Sequence, residues 1–292
     1  MWQQLLKELQ QGNTKSLARM ISLVENETPG YEELLQSLSP NNAAKIIGIT
    51  GPPGVGKSTL TDGLIGELIK EDKKVGVLCV DPSSPFNFGS LLGDRIRMSE
   101  WYTHPNVFIR SLASRGSLGG LHPKIFEITD IMKAAGFDNI IIETVGVGQS
   151  EVEIAGLADV TIVVLVPEGG DVIQTMKAGL MEIADIFVLN KSDRPDADIF
   201  EKNLRMMLAP AFKNDKKIPI VKTVASEKTG IEELKNEIFK HEKKNERRSI
   251  LLAEKAWQLI QNKRMKNISK NDLLMEIEKE PSLNIYKLVQ KY

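Results

Sequence analysis

The stretch Gly51-Pro52-Pro53-Gly54-Val55-Gly56-Lys57-Ser58-Thr59 decides how the rest of this sequence is read. It follows an apolar, β-branched run, Ile46 to Thr50, and opens the helical pattern Ser58 to Glu71. The spacing fits G-x-x-x-x-G-K-[ST], the pattern of a phosphate-cradling loop between a strand and a helix. Its glycines let the backbone wrap closely and turn its N–H groups inward on an anion. The helix that follows offers its N-terminus to the same anion. Lys57 then reaches the β- and γ-phosphates, and the Ser58 hydroxyl is a Mg²⁺ ligand. The reading is a nucleoside triphosphate bound at the end of a strand.

Working outward, short apolar runs alternate with amphipathic ones. Strands are expected at Ile46 to Thr50, Val75 to Val80, Val107 to Arg110, Ile140 to Glu143, Thr161 to Val166, Ile186 to Asn190 and Pro219 to Val224. Most are apolar on both faces, the composition of parallel strands covered by helices on either side. Helical patterns fall between them at Ile125 to Ala135, Ile173 to Ala184, Ile199 to Leu208 and Ile231 to Phe239. This alternation argues a doubly wound, mostly parallel α/β sheet. A helical extension of residues 1–44 precedes it, and a helical arm of residues 245–292 follows. In such sheets ligands bind beyond the carboxyl ends of the strands, so chemistry is sought there.

The sixth strand ends in Asn190-Lys191-Ser192-Asp193. A carboxylate at Asp193 can accept from the ring N–H and exocyclic amine of guanine, whereas adenine would leave it unpaired. An unpaired buried polar group costs about 1–3 kcal/mol, enough to select GTP over ATP. Asn190 and Lys191 would support the loop and flank the base. Val224-Ala225-Ser226, after the last strand, offers backbone N–H groups to the guanine carbonyl. Three carboxylates sit where further metal ligands belong: Asp81 after the second strand, Asp94 in a Gly-rich loop, and Glu143 ending the fourth strand. Mg²⁺ takes such oxygen ligands directly or through water. An Asx-turn or a helix N-cap is the competing use of Asp81. The Gly146 N–H is expected to bond the γ-phosphate, and by analogy with other GTPases Gln149 is a candidate to orient the attacking water, a simple loop amide being its competing use.

Composition excludes several other classes. Among 292 residues, 41% are hydrophobic and 26% charged, and Lys plus Arg (38) balances Asp plus Glu (39). The net charge of -1 gives no general attraction to nucleic acid or anionic lipid. One cysteine, Cys79, permits no internal disulfide and fits core packing and a reducing, cytoplasmic setting. The apolar run Val160 to Val166 is far short of the ~20 residues of a membrane span, and the N-terminus lacks a signal-peptide pattern. From Lys235 to Lys270 eleven Lys/Arg stand against four Glu, with apolar residues interleaved. That stretch reads as a solvated helix face bordering a dimer seam, not as a nucleic-acid platform.

Taken together with Val80-Asp81-Pro82-Ser83-Ser84-Pro85, Gly93-Asp94-Arg95-Ile96-Arg97-Met98, Arg115-Gly116-Ser117-Leu118-Gly119-Gly120 and Glu143-Thr144-Val145-Gly146-Val147-Gly148-Gln149-Ser150-Glu151, these motifs resemble the ArgK/MeaB family of P-loop GTPases. Glu143 stands where most GTPases carry Asp, which makes the resemblance specific. It implies a GTP- and Mg²⁺-dependent GTPase chaperone that gates cofactor loading and protection of a cobalamin-dependent acyl-CoA mutase. It also implies a homodimer joined through C-terminal helices, with no nucleic-acid or membrane partner. The loops at Arg110 to Gly120 and Gly169 to Lys177 are then expected to meet the mutase. A kinase of an amino-acid transport system is the rival label, but no acceptor pocket with a base is evident. A nickel metallochaperone would need Cys/His clusters that one Cys and three scattered His do not supply.

Overall fold

The protein is described by a computed structural model covering residues 2–39, 44–81, 98–114, 121–144, 150–168, 178–208, 218–241, 246–265, 267–280 and 283–291. It divides into two compact units, Met1–Asn245 and Glu246–Tyr292. The first unit opens with helices α1 (Trp2–Gln10), α2 (Thr14–Glu25) and α3 (Tyr31–Gln36). Strands β1 (Lys45–Thr50), β2 (Val75–Asp81), β3 (Val107–Ala113), β4 (Asn139–Glu143), β5 (Val160–Leu165), β6 (Ile186–Asn190) and β7 (Ile220–Thr223) follow. Between and after them lie α4 (Lys57–Ile69), α5 (Ile125–Ala134), α6 (Ser150–Leu157), α7 (Ala178–Ile183), α8 (Ala197–Leu208) and α9 (Ile231–Lys240).

All seven expected strands form, and they pair in parallel in the order β3-β2-β4-β1-β5-β6-β7. The period of two sorts their side chains between faces. Ile47, Ile49, Val75, Val77, Ile141, Ile162 and Val188 pack on one face with Leu60, Leu64 and Leu68 of α4 and Leu234 of α9. Ile46, Leu78, Ile140 and Ile142 pack on the other with α1 to α3, α5 and α6. Val163, Leu165, Phe187 and Leu189 extend that covering under α7 and α8. The sheet is therefore doubly wound. The chain runs from β1 out to β2 and β3, returns to β4, then crosses to β5 on the other side of β1. The crevice of this topology lies at the carboxyl ends of β4, β1 and β5.

Two contacts, one buried and one partly buried, pin the central strand. The Asp159 carboxylate accepts from the Ile46 N–H (2.8 Å), and the Asp159 N–H donates to the Ile46 carbonyl (2.8 Å). Lys45 Nζ donates to the carbonyls of Ile238 (2.6 Å) and His241 (3.1 Å), so a cation closes the C-terminal end of α9. Helix α6 approaches β1 at Gly48, where a Cβ would lie 2.6 Å from Ile154 and 3.0 Å from Ala158. The sequence pattern had not marked α6, whose apolar residues run straight into those of β5.

The N-terminal helices share the core of the sheet. Leu9, Leu17, Met20, Ile21, Val24 and Leu34 are buried with Ile46 and Leu78. Ion pairs add a second tie. Arg110 of β3 bonds Glu25 and the Ser22 hydroxyl (3.1 Å). Lys124 pairs with Glu27 (2.7 Å) and sits 5.1 Å from the centre of the Tyr31 ring.

The second unit consists, in its described residues, of α10 (Glu246–Arg264), α11 (Lys270–Lys279) and α12 (Ile285–Val289). Ser269 caps α11 and Asn284 caps α12 through side-chain oxygens, as short polar residues do at helix starts. Ile250, Trp257, Ile260, Leu274 and Met275 are exposed within the single chain.

Replacing Asp159 with Ala leaves the Ile46 N–H at the start of β1 without its buried acceptor. Chemical denaturation should show a loss of about 1–3 kcal/mol of stability, with the slope against denaturant unchanged.

Candidate nucleotide-binding site

The loop after β1 is threaded between neighbouring strand ends. Gly51 has φ +142°, and a Cβ there would lie 2.3 Å from the backbone oxygen of Val164. Gly56 has φ +93°, and a Cβ would lie 2.4 Å from the Asn190 amide nitrogen. Gly54, at φ +77°, faces open space. The three glycines thus serve two purposes: Gly51 and Gly56 admit close packing, while Gly54 only turns the chain. Val55 is the loop's apolar anchor, buried against Leu60 and its neighbours. Pro52 is partly buried, Pro53 is exposed, and Thr59 lies partly buried on α4.

Lys57 and Ser58 open α4 and are both buried. Lys57 Nζ donates to the carbonyls of Gly51 (2.9 Å) and Pro52 (3.0 Å), so the ammonium lies within the curl of the loop. The Ser58 hydroxyl donates to Glu143 Oε1 (2.7 Å). The Thr61 hydroxyl, one turn further along α4, lies 3.1 Å from Glu143 Oε2 and 3.0 Å from the Lys57 carbonyl. Glu143 is 4% exposed, at the carboxyl end of β4 beside β1. Next to it the Thr144 hydroxyl bonds that of Thr50 (2.9 Å). Glu143 thus gathers two hydroxyls of α4 at the end of β4, while Thr144 and Thr50 separately join the ends of β4 and β1. Such hard oxygen donors suit Mg²⁺.

On the other flank, Asn190 ties two loops together. Its amide nitrogen donates to the Val55 carbonyl (2.8 Å). Its amide oxygen accepts from the Thr223 hydroxyl (3.0 Å) and the Ala225 N–H (3.1 Å). Asn190 is 2% exposed, so all these bonds lie out of water. Lys191, at φ +57°, donates from Nζ to the Gly54 carbonyl (3.0 Å). The Asp193 carboxylate and Ser226 are exposed at the mouth, and Val224 pairs with Thr229 to shape the last loop.

Asp62, beside Thr61, accepts from the Trp101 indole N–H (2.7 Å). Burial pushes its carboxyl above the usual range for Asp, against the opposing pull of that hydrogen bond. Thr61 and Thr223 support the candidate site from behind, through bonds to Glu143 and Asn190, and the motif spacing does not find them. A signal for Thr61 was present, because its spacing of three from Ser58 places both hydroxyls on one helix face. Asp94, Gly146 and Gln149 lie outside the described residues. So do the loops at 115–120 and 169–177, and of Asp81 only the backbone at the end of β2 is described. Among the described residues no group of three His, Cys, Asp or Glu is placed to hold a metal ion. No helix among them is long and apolar enough to cross a membrane.

A parallel sheet with a glycine loop and lysine at its switch point, flanked by an Asn-Lys-x-Asp turn, defines a P-loop GTPase. Comparison with known proteins agrees. The family model described as "Methylmalonyl Co-A mutase-associated GTPase MeaB" matches residues 17–282. A relative from Pyrococcus abyssi that is named for a GTPase is 49% identical over 247 residues, covering 82% of this chain and 75% of the relative. The "Methylmalonic aciduria type A homolog, mitochondrial" of Caenorhabditis elegans is 39% identical over 207 residues, covering 65% of this chain and 52% of that protein. A crystal structure described as an "LAO/AO transport system kinase" superposes with a TM-score of 0.69 at 26% identity, covering 99% of this chain and 95% of that one. The chain belongs to the MeaB family of GTPases: it binds GTP and hydrolyses it to GDP and phosphate.

Glycine replacements should separate the two uses of the loop. Gly54→Ala, with open space around it, should cost about 1–2 kcal/mol through backbone conformation alone and keep GDP binding. Gly51→Ala, which drives a methyl group into the Val164 carbonyl, should lose more stability and most GDP affinity. Thermal unfolding and GDP titration of both variants measure the difference.

Proposed function

We propose that this chain is a GTP-operated chaperone for a cobalamin-dependent acyl-CoA mutase of the methylmalonyl-CoA mutase type, gating cofactor loading and protecting the mutase. One observation carries the reading. The match to a family described as mutase-associated runs from residue 17 to 282, through the GTPase sheet and into the second unit. The relative in Caenorhabditis elegans, named for methylmalonic aciduria, points to the same metabolism.

In this reading, backbone N–H groups of Gly51 to Lys57 hold the β-phosphate, and Lys57 turns from the Gly51 and Pro52 carbonyls to the γ-phosphate. Ser58 and Glu143, with Asp81 and Asp94, would hold Mg²⁺, which when bound would supply Lewis-acid stabilisation of the phosphate charge. Gly146 senses the γ-phosphate, and Gln149 orients the attacking water. Asn190 keeps the phosphate loop and the base loop in register, while Lys191, Asp193 and Val224-Ala225-Ser226 receive guanine. Phosphoryl transfer of this kind asks for positioning and charge compensation, so no covalent enzyme intermediate is needed.

The second unit is the homodimer seam. On α10, Ile250, Ala253, Trp257 and Ile260 recur at spacings of three and four and are exposed. That is the apolar stripe of a helix that pairs with another. The structural neighbour described as a transport system kinase favours a second reading, a nucleotide-dependent kinase serving such a system. Phosphate from γ-labelled GTP would then move to an acceptor, whereas in the chaperone reading all of it is released as free phosphate.

Calorimetry with Mg²⁺ should give binding of GTP and GDP but not of ATP. Asp193→Ala should weaken GTP about ten- to a hundredfold, the equivalent of 1.4–2.8 kcal/mol, while ATP stays undetected. Equal binding of both purines would remove the base assignment.

Light scattering coupled to size exclusion tests the partner and the seam together. The chain alone should run at twice its own mass, and Trp257→Glu with Ile260→Glu should reduce it to one copy. Purified methylmalonyl-CoA mutase should co-elute with the unaltered chain, and a non-hydrolysable GTP analogue and GDP should give different complex stabilities. No co-elution with either nucleotide would sink the mutase assignment.

A further inference from the structure

The buried carboxylate of Glu143 is held at both oxygens by one helix. Oε1 accepts from Ser58 (2.7 Å), and Oε2 lies 3.1 Å from the Thr61 hydroxyl. Thr61 is fully buried, with Leu60, Leu64 and Ile65 buried around it on the same helix. A hydroxyl is a poor choice for such a place on packing grounds, since valine has the same shape and no polar atom to satisfy. The spacing gives it a use. Residues three apart on a helix stand one above the other, so Ser58 and Thr61 present two hydroxyls to a single carboxylate. The length of Glu143 matters equally. Aspartate, shorter by one methylene, would hold its carboxylate farther back from both hydroxyls at the same backbone position.

We propose that Thr61 is the positioning residue for Glu143: its hydroxyl holds Oε2 so that Oε1 stays turned to Ser58, and it thereby sets how strongly Mg²⁺ tightens nucleotide binding. This rests on the assignment of Ser58 and Glu143 to Mg²⁺ made above. The hydroxyl carries one proton, and two acceptors lie in range. The Lys57 carbonyl at 3.0 Å is the ordinary i−4 partner of a helical threonine. The carboxylate at 3.1 Å is the ionised acceptor, and charge-assisted bonds are the stronger kind. The two alternatives make opposite predictions. Back-bonding to Lys57 is local to the helix and leaves the metal response alone. Bonding to Glu143 orients a ligand of the metal.

The test is a fluorescent-GDP titration, in EDTA and then across a Mg²⁺ series, on the unaltered chain and on Thr61→Val, Thr61→Ala, Thr61→Ser and Ser58→Ala. Circular dichroism first checks that each variant is folded. Thr61→Val should keep GDP affinity in EDTA within about twofold, yet need five- to tenfold more Mg²⁺ for half of the metal-induced tightening. Thr61→Ala should shift the Mg²⁺ midpoint equally, which assigns the effect to the hydroxyl and not to the methyl group. Thr61→Ser, which keeps the hydroxyl, should return within twofold of the unaltered chain. If Ser58→Ala moves the midpoint and Thr61→Val does not, the positioning role is overturned while the metal assignment survives. If Ser58→Ala leaves the midpoint unchanged, the metal assignment and the role of Thr61 fall together. Equal weakening of GDP in EDTA and in Mg²⁺ by Thr61→Val would reduce Thr61 to a structural part of α4 and also overturn the proposal.

Discussion

A carboxylate buried at the middle of the sheet constrains everything near it. Glu143 is 4% exposed, and a charge withdrawn from water must be met by donors or by a cation. The first two turns of α4 supply the donors, Ser58 and Thr61, and the positive end of that helix faces the same region. Helix α4 must therefore start where it does, directly after a loop that crosses the end of β1. That loop can reach its place only if Gly51 and Gly56 carry no side chain, because Val164 and Asn190 already occupy the space. The glycine pattern and the carboxylate are two sides of one packing problem, solved at the switch point of the sheet.

The fold was legible because its strands are buried on both faces. Val75 to Val80 and Thr161 to Val166 read as apolar runs, and the strands they form lie inside the sheet with helices on either side. Legibility failed where one apolar run served two elements. Ile154, Leu157 and Val160 follow each other closely in sequence, yet the first two belong to α6 and the third to β5. Only the turn at Ala158-Asp159, fixed by the Ile46 contact, separates them. The N-terminal helices were visible as helices, but periodicity has no means of saying which surface a stripe covers. Leu17 and Ile21 are spent on the same core as Ile46 and Leu78.

The same distinction holds in the site. Motif spacing singled out Lys57, Ser58, Glu143 and Asn190, which the structure gathers at the strand ends, because each depends on a short local geometry. It did not find Thr223, whose contribution is a long-range bond to Asn190 across neighbouring strands. Nor did it reveal that a single amide joins the phosphate loop, β6 and the loop after β7. An amide can do this because it donates at one end and accepts at the other. A carboxylate at residue 190 would repel the Val55 carbonyl, and an ammonium would have nothing to offer the Ala225 N–H.

Coupling between the halves of the site follows from how α4 is held. At its start the helix carries the phosphate-binding residues. At Gly63 it touches Ile231 of α9, which begins directly after the loop that Asn190 anchors. At Gly66 it meets Trp101, whose indole bonds Asp62. The far end of α9 is closed by Lys45, the first residue of β1. β1, α4, the base loop and α9 thus form a closed circuit of direct contacts, each link buried or hydrogen-bonded. A close-packed interior yields poorly to local displacement. Ile231 and Trp101 thus brace α4 along its length. The Arg110–Glu25 and Lys124–Glu27 pairs lie on another side of the sheet, at its β3 edge and at the start of α5. They hold the N-terminal helices by charge, in addition to the apolar contacts those helices make with Ile46 and Leu78.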